Sequence, residues 1–325
     1  MNNKPSESFI SKVFADYSYW ISFIAMTILA VAINPSFIKW NNVTNLFVQA
    51  SVTGIIALGM TMIISAGQID ISVGAQIAII AGFGINVLNK TNSIWIMLLF
   101  SLGFGALIGL INGVLVAYGR MPAMIATLAT MSICRSLVNQ FGQGGPYTVN
   151  NANFQTFRKI AAGNLTIGSI KFPYPMLMFI ALALLFGLIM RQTKLGKHVY
   201  AVGSNTTSAR LAGVNVRFIQ IIVFVITGVL TGFSSFIYAS RVMAIAAASA
   251  GVSYEMDAIA AVAIGGTSMS GGRGKIIGTF LGALMFKMIN NILVMMNFPT
   301  FLNGAISGCI IIIAVLLQNI QSKSK

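Results

Sequence analysis

Four stretches of this chain run for more than twenty residues without a charged side chain: between Lys39 and Asp70, Lys90 and Arg120, Arg217 and Arg241, and Lys287 and Lys323. The hydrocarbon core of a bilayer, about 30 Å thick, takes roughly 20 apolar residues per helical crossing. No soluble core needs so many runs of that length. Only 8% of the 325 residues are charged and 57% are hydrophobic, with a mean hydropathy of +0.87. An all-α, polytopic membrane protein follows, with the lipid bilayer as its main partner.

Apolar runs between charges and turn residues predict about ten spans, near 20–38, 46–66, 71–88, 94–117, 122–140, 173–190, 217–239, 245–264, 276–296 and 301–320. The eighth is the weakest, being Ala-rich and interrupted by Gly251, Glu255 and Asp257. The whole chain, 1–325, reads as one transmembrane domain, with 1–19 as a segment ahead of the first span. Lys4 and Lys12 before an apolar run, with Ala30-Val31-Ala32 beyond it, resemble a secretory signal. Glu7, Asp16 and the apolar continuation to Phe37 argue that this first span is retained.

The net charge of +15 is scattered between spans, so nucleic acid is not an expected partner. It reads through the tendency of short cytoplasmic loops to collect Lys and Arg. The 191–217 loop carries Arg191, Lys194, Lys197, Arg210 and Arg217 and is expected in the cytoplasm, with both termini on the same side. Arg158, Lys159 and Lys171 in the opposite 141–172 loop count against this orientation without outweighing it.

Glycines four residues apart, at 105/109/113, 228/232, 278/282 and 304/308, let helix backbones approach closely in lipid and predict a tightly packed bundle. Gly105-Ala106-Leu107 leading to Asn112 is faintly repeated by Gly282-Ala283-Leu284 leading to Asn290, one residue further on.

Catalytic and cofactor chemistry finds little support. The single histidine, His198, stands without a Cys/His cluster, and Cys134 and Cys309 both fall in apolar runs. The segment 265–275 superficially resembles a phosphate-binding loop, but Met269 occupies the first glycine position and Ile276 follows Lys275. No cofactor is expected on this chain.

Asp70, Glu255 and Asp257 are the acids near membrane depth. Each has two readings: a helix-capping carboxylate, with Ser253 as N-cap for the latter pair, or a proton-coupling group of a secondary transporter. Glu255 and Asp257, two apart, do not share a helix face. Lys287 lies mid-span and is expected to face the bundle interior or a partner. In the basic loop, Ser204 or Asn205 can cap a short helix through about Ala212 that Gly213 would end. Its small residues Ser208, Ala209 and Ala212 suit a groove on another protein, or else the helix is simply a surface element; as a docking site it also allows a membrane scaffold.

Three ordered segments carry a family resemblance. Ser65-Ala66-Gly67-Gln68-Ile69-Asp70-Ile71-Ser72-Val73-Gly74 resembles the G-x-I-D-L-S-V-G signature of ribose-type permeases of bacterial ABC importers. Gly203-Ser204-Asn205-Thr206-Thr207-Ser208-Ala209-Arg210-Leu211-Ala212-Gly213-Val214 resembles their coupling segment. Tyr254–Ala261 with Gly265-Gly266-Thr267-Ser268 and Gly271-Gly272 resembles a third signature. Order and separation agree over about residues 45–317. Departures are few: Ser208 stands for the first alanine of an Ala pair, and Gln68 and Ile71 for common Gly and Leu variants.

The resemblance implies an importer of two permeases and two ATPases in the bacterial inner membrane, fed by a soluble sugar-binding protein. ATP would be bound by the ATPase partner. Gly203, Asn205, Ser208, Ala209, Arg210, Leu211 and Gly213 would couple to that ATPase, while Asp70, Ser72, Gly74, Asn112, Glu255, Asp257 and Asn290 are family-signature or pathway candidates. The substrate class implied is a monosaccharide or related small sugar: a pentose, hexose, deoxysugar or autoinducer-2.

Overall fold

The computed structural model describes residues 9–296, together with 299, 304–306, 308, 309, 312 and 316. Helix α1 (Phe9–Ile33) leads through a 3-10 turn (Pro35–Ile38) into α2 (Trp40–Ser65), α3 (Val73–Thr91), α4 (Ile94–Ala117) and α5 (Ala123–Phe141). Strand β1 (Pro146–Thr148), helix α6 (Asn151–Ala162) and the β2–β3 hairpin (Asn164–Ile167, Ile170–Pro173) then cover one end of the bundle. Helix α7 (Tyr174–Gln192) returns to the other end, where short helices α8 (Lys194–Ser204) and α9 (Thr206–Leu211) lie. Helix α10 (Val216–Val242), strand β4 (Ala244–Ala246), α11 (Tyr254–Ile264) and α12 (Ile276–Met295) follow. Strand β4 pairs antiparallel with β1, Tyr147 opposite Ile245.

Among the described residues six helices, α2, α3, α4, α7, α10 and α12, are long and apolar enough to cross a membrane, and 19–33 of α1 forms a shorter apolar helix. The protein is therefore a multi-pass membrane protein, though the tenfold count is not reproduced. The expected 122–140 span is helical as α5, but it is not among these six. The expected 245–264 span is corrected: only α11's 11 residues are helical, about 16 Å of rise, too short to cross. Gly251 and Ser253 both hold positive φ, so the chain turns through 247–253 before the helix can begin. The span at 301–320 lies outside the described residues apart from isolated positions. So do residues 1–8 of the segment expected ahead of the first span, and from Phe9 onward the chain is already helical.

Helix α2 is the axis of the bundle. Residues 50–66 are all buried, which explains why its apolar run lacks a polar face: it packs on α7, α10, α11 and α12 at once. Several of the polar groups it carries are bonded locally or across helices, while the Thr53 and Ser65 hydroxyls have no partner among the described residues. Thr61 Oγ1 shares a 2.6 Å hydrogen bond with Thr279 Oγ1 of α12, and the amides of Asn42 and Asn291 bond reciprocally at 3.2 and 3.4 Å.

The glycine spacing finds its purpose in two places. A Cβ on Gly105 would strike the Gly228 carbonyl, one on Gly109 the Phe224 carbonyl, and one on Gly232 the Ser101 carbonyl. Helices α4 and α10 thus touch backbone to backbone. Gly278 and Gly282 meet the Gly265 and Ala261 carbonyls in the same way, seating α12 on α11. Gly304 and Gly308 differ: no atom of the described chain lies within 4 Å of a Cβ there.

The faint repeat acquires a geometry. Its first copy lies on α4, which ends beside the start of α10, with Arg217 5.1 Å from the Tyr118 ring. Its second lies on α12, which begins at that same end. The two segments run in opposite directions, as in inverted-topology transporter repeats.

Candidate functional site

Backbone continuity fails twice inside the bundle. Residues 66–72 between α2 and α3, and 243–253 between α10 and α11, are non-helical apart from β4. The two breaks adjoin: a Cβ on Gly251 would strike the Gly74 carbonyl, and one on Gly74 would strike the Glu255 carboxylate. The first turns of α3 and α11 therefore meet in the interior, with the Glu255 carboxylate between them. Arg135 of α5 lies within Coulombic reach of Glu255, and its Nη1 donates to the Ala250 and Ala247 carbonyls at 2.7 and 3.1 Å. Arg135 thus holds the second break in place. Sequence reading did not single it out; a lone arginine in an apolar helix was the available signal.

Asp70 is fully buried at the first break. Its Oδ1 accepts from the Ser72 backbone amide at 2.8 Å and the Ser72 hydroxyl at 2.6 Å. Asp70 thus orients Ser72, the N-cap residue of α3, and does not itself accept from the helix's own amides. Ser72 Oγ in turn accepts from Gln76 Nε2 at 2.8 Å and Asn112 Nδ2 at 3.0 Å. Thr130 donates to Asn112 Oδ1 at 2.5 Å. One network therefore ties the break to α3, α4 and α5. Asp70 Oδ2 and Gln76 Oε1 have no hydrogen-bond partner among the described residues, and neither does Asn290 Oδ1.

Ser253 is a correction: it holds φ +68 and its side chain makes no cap hydrogen bond. Glu255 and Asp257 diverge as their spacing requires. Asp257 instead receives Lys287 Nζ from α12 at 2.9 Å, which settles that Lys287 faces the bundle interior.

At the C-terminal end of α2, where the first break begins, the three sequence signatures converge. A Cβ on Gly203 would collide with the Ser65 carbonyl, which accepts from the Gly272 amide at 3.0 Å. Gly67 and Gly271 also border Gly203, Gly272 borders Ser204, and Tyr200 Oη donates to the Gly274 carbonyl at 2.6 Å. The amides of Gly266, Thr267, Ser268, Gly271 and Gly272 all donate to backbone carbonyls of the chain itself. These five amides of the glycine-rich turn are thus directed to internal packing.

Helix α9 stands at this junction. Asn205 Oδ1 accepts from the Ser208 amide at 2.8 Å, and Gly213 follows at φ +80, so cap and stop are where they were expected. The helix before it, α8, was missed because Lys194, Lys197, His198 and two glycines interrupt its apolar face within eleven residues. One expected contact residue is corrected: Ala209 is buried in the chain itself. Ser208, Arg210 and Ala212 are exposed, and Leu211 most of all, at 85%.

Residues 42–315 match the family described as "Branched-chain amino acid transport system / permease component". The chain belongs to this family of transport permeases. It is 33% identical to the ribose import permease protein RbsC of Haemophilus influenzae, over 100% of this chain and 99% of that protein. It is 34% identical to RbsC of Bacillus subtilis, over 93% and 92%. With the galactose/methyl galactoside import permease protein MglC of Escherichia coli it shares 31%, over 93% and 94%. No solved structure matches the chain.

Proposed function

We propose that this chain is the membrane permease subunit of an ATP-driven importer for a monosaccharide, residing in the bacterial inner membrane. The family description names branched-chain amino acids. The full-length relatives are named for ribose, galactose and xylose import, and their resemblance runs through the whole chain, so sugar is the better-supported cargo. The observation that carries the mechanism is the junction at Gly203. Helix α9 stands exposed on a glycine-packed contact with the turns that follow α2 and α11. Displacement of α9 by a cytoplasmic ATPase is thereby delivered to the 66–72 break, and to the C-terminal end of α11, whose other end carries the 243–253 break. Tightly packed contacts of this kind transmit motion because neither side can yield locally.

In this reading the ATPase subunit binds ATP and docks on 203–213, a second permease of the same or similar sequence completes the pathway, and a sugar-binding protein delivers substrate to the opposite end. The 191–217 segment and both termini then face the cytoplasm. Proton-coupled transport through Asp70 or Glu255 is not favoured, since the matched relatives are import permeases and both carboxylates stand at helix starts. The scaffold alternative likewise loses ground to those relatives.

The test is uptake of ribose, galactose and xylose by the chain reconstituted with its ATPase and binding protein in vesicles lacking ion gradients. ATP-dependent accumulation of one of them is expected; its absence for all three rejects the reading.

A further inference from the structure

Helix α5 is at odds with its surroundings. Its first half presents Met124, Ile125 and Leu128 outward, as a lipid-exposed or tightly apposed helix should. Its second half carries Ser132, Arg135, Ser136, Asn139 and Gln140 on one side, a polar stripe at helical period, with Gln143 in the turn just beyond the helix. Ser132, Ser136, Gln140 and Gln143 are exposed, and Arg135 and Asn139 half-buried. Exposed Ile133, Leu137 and Phe141 flank the stripe on one side, and the face turned away from it carries buried Cys134 and Val138.

A stripe of amides and hydroxyls is ill suited to hydrocarbon, where each unsatisfied polar group costs about 1–3 kcal/mol. The stripe borders an open groove of about 860 Å³ lined by these residues with Met131 and Gly144. The groove lies in the half of α5 remote from α9, beside the β1–β4 pair that follows Phe141. Arg135 joins it to the interior break through Ala247 and Ala250.

We propose that this stripe is the wall of the translocation pathway that contacts the cargo, and that the cargo is a neutral polyhydroxylated sugar. The inference rests on the import reading above and specifies its site. Hydroxyl and amide side chains both donate and accept, which suits a ring bearing hydroxyls on every side. No carboxylate lines the groove to receive an ammonium group, and its one guanidinium is already engaged by two carbonyls. An aliphatic pocket is absent as well. A branched-chain amino acid would need all three.

The test uses the assembled importer with exposed Cys309 changed to Ser and buried Cys134 retained. Ser136→Cys and Gln140→Cys are treated with an impermeant, charged methanethiosulfonate reagent, and Leu137→Cys serves as the control on the apolar flank. Expected results are modification of the first two and not the third, slowing of that modification by ribose, galactose or xylose, and loss of ATP-driven uptake on modification while ATP hydrolysis persists. Gln140→Ala should raise the KM for uptake roughly 2- to 10-fold, the worth of one neutral hydrogen bond. Equal labelling of all three positions, or full uptake by the modified Ser136→Cys importer, overturns the stripe while leaving import intact. Failure of the unmodified importer to accumulate any sugar refutes the import reading and this proposal with it.

Discussion

Gly203 meets the Ser65 carbonyl so closely that a single added methyl has no room, and the Gly272 amide donates to that same carbonyl at 3.0 Å. Three segments distant in sequence share one oxygen. Gly203→Ala must push α8 away from the end of α2, at a cost of about 1–3 kcal/mol for an overpacked contact. We expect a lower melting temperature in detergent and uptake reduced more steeply than ATP hydrolysis. Gly213→Ala is the comparison: it holds φ +80 but nothing lies within 4 Å of its Cβ. It should lose only the backbone term, about 1–2 kcal/mol, without uncoupling. Equal effects of the two substitutions on coupling would argue against transmission through Gly203.

Leu211 presents an apolar side chain to solvent at 85% exposure, on a helix whose other aliphatic surface is turned inward at Ala209. Burying such a leucine stabilises an interface by about 1.5–3 kcal/mol. Leu211→Ser is therefore predicted to leave the melting temperature unchanged and to weaken binding of the ATPase subunit roughly 10- to 100-fold, measured by titration of detergent-solubilised components. Unaltered ATPase affinity would move the docking surface away from α9.

How much of this was legible beforehand depends on what burial demands locally. Helices α2, α4 and α10 could be read because their interiors run without a charge, and α12 because its one charge, Lys287, is isolated in an apolar run. The cap at Asn205 and the stop at Gly213 could be read because each depends on one residue's own geometry. Helix α11 could not: Ala-rich sequence satisfies a hydropathy window, and only the positive φ at Gly251 and Ser253 shows that the chain turns there instead of crossing. Arg135 was passed over because its partners are backbone carbonyls more than a hundred residues away, a pairing without any sequence signature. Ala209 was assigned to the wrong face because a helix of six residues has too few positions for periodicity to decide which side is wet.

Asp70 offers a way to separate the orienting of Ser72 from proton carriage. Its Oδ1 alone meets Ser72 N and Oγ, so Asp70→Asn keeps an acceptor oxygen for both donors. This variant should fold and import sugar at a rate comparable to the parent chain, with no dependence on a pH gradient. Asp70→Ala strands the Ser72 amide at the start of α3 and should cost about 1 kcal/mol or more, read as a lowered melting temperature. Loss of uptake in a stably folded Asp70→Asn importer would instead assign the carboxyl a transport role.

Lys287 and Asp257 form an ion pair at 2.9 Å with side chains only 13% and 17% exposed, joining α12 to the half-helix α11. Removing one partner leaves the other charge buried and unpaired, a loss of about 3–5 kcal/mol in comparable protein sites. Lys287→Met and Asp257→Leu are each expected to lower the melting temperature sharply. The double variant exchanges both charges for apolar groups and should recover most of that loss, giving a large coupling energy in a double-mutant cycle. Because α11 is too short to anchor itself across the bilayer and is held by α12 through Gly278, Gly282 and this pair, the single variants should also uncouple ATP hydrolysis from uptake. Additive effects with no recovery in the double variant would show that the two charges act independently, and that α11 is held by its glycine contacts alone.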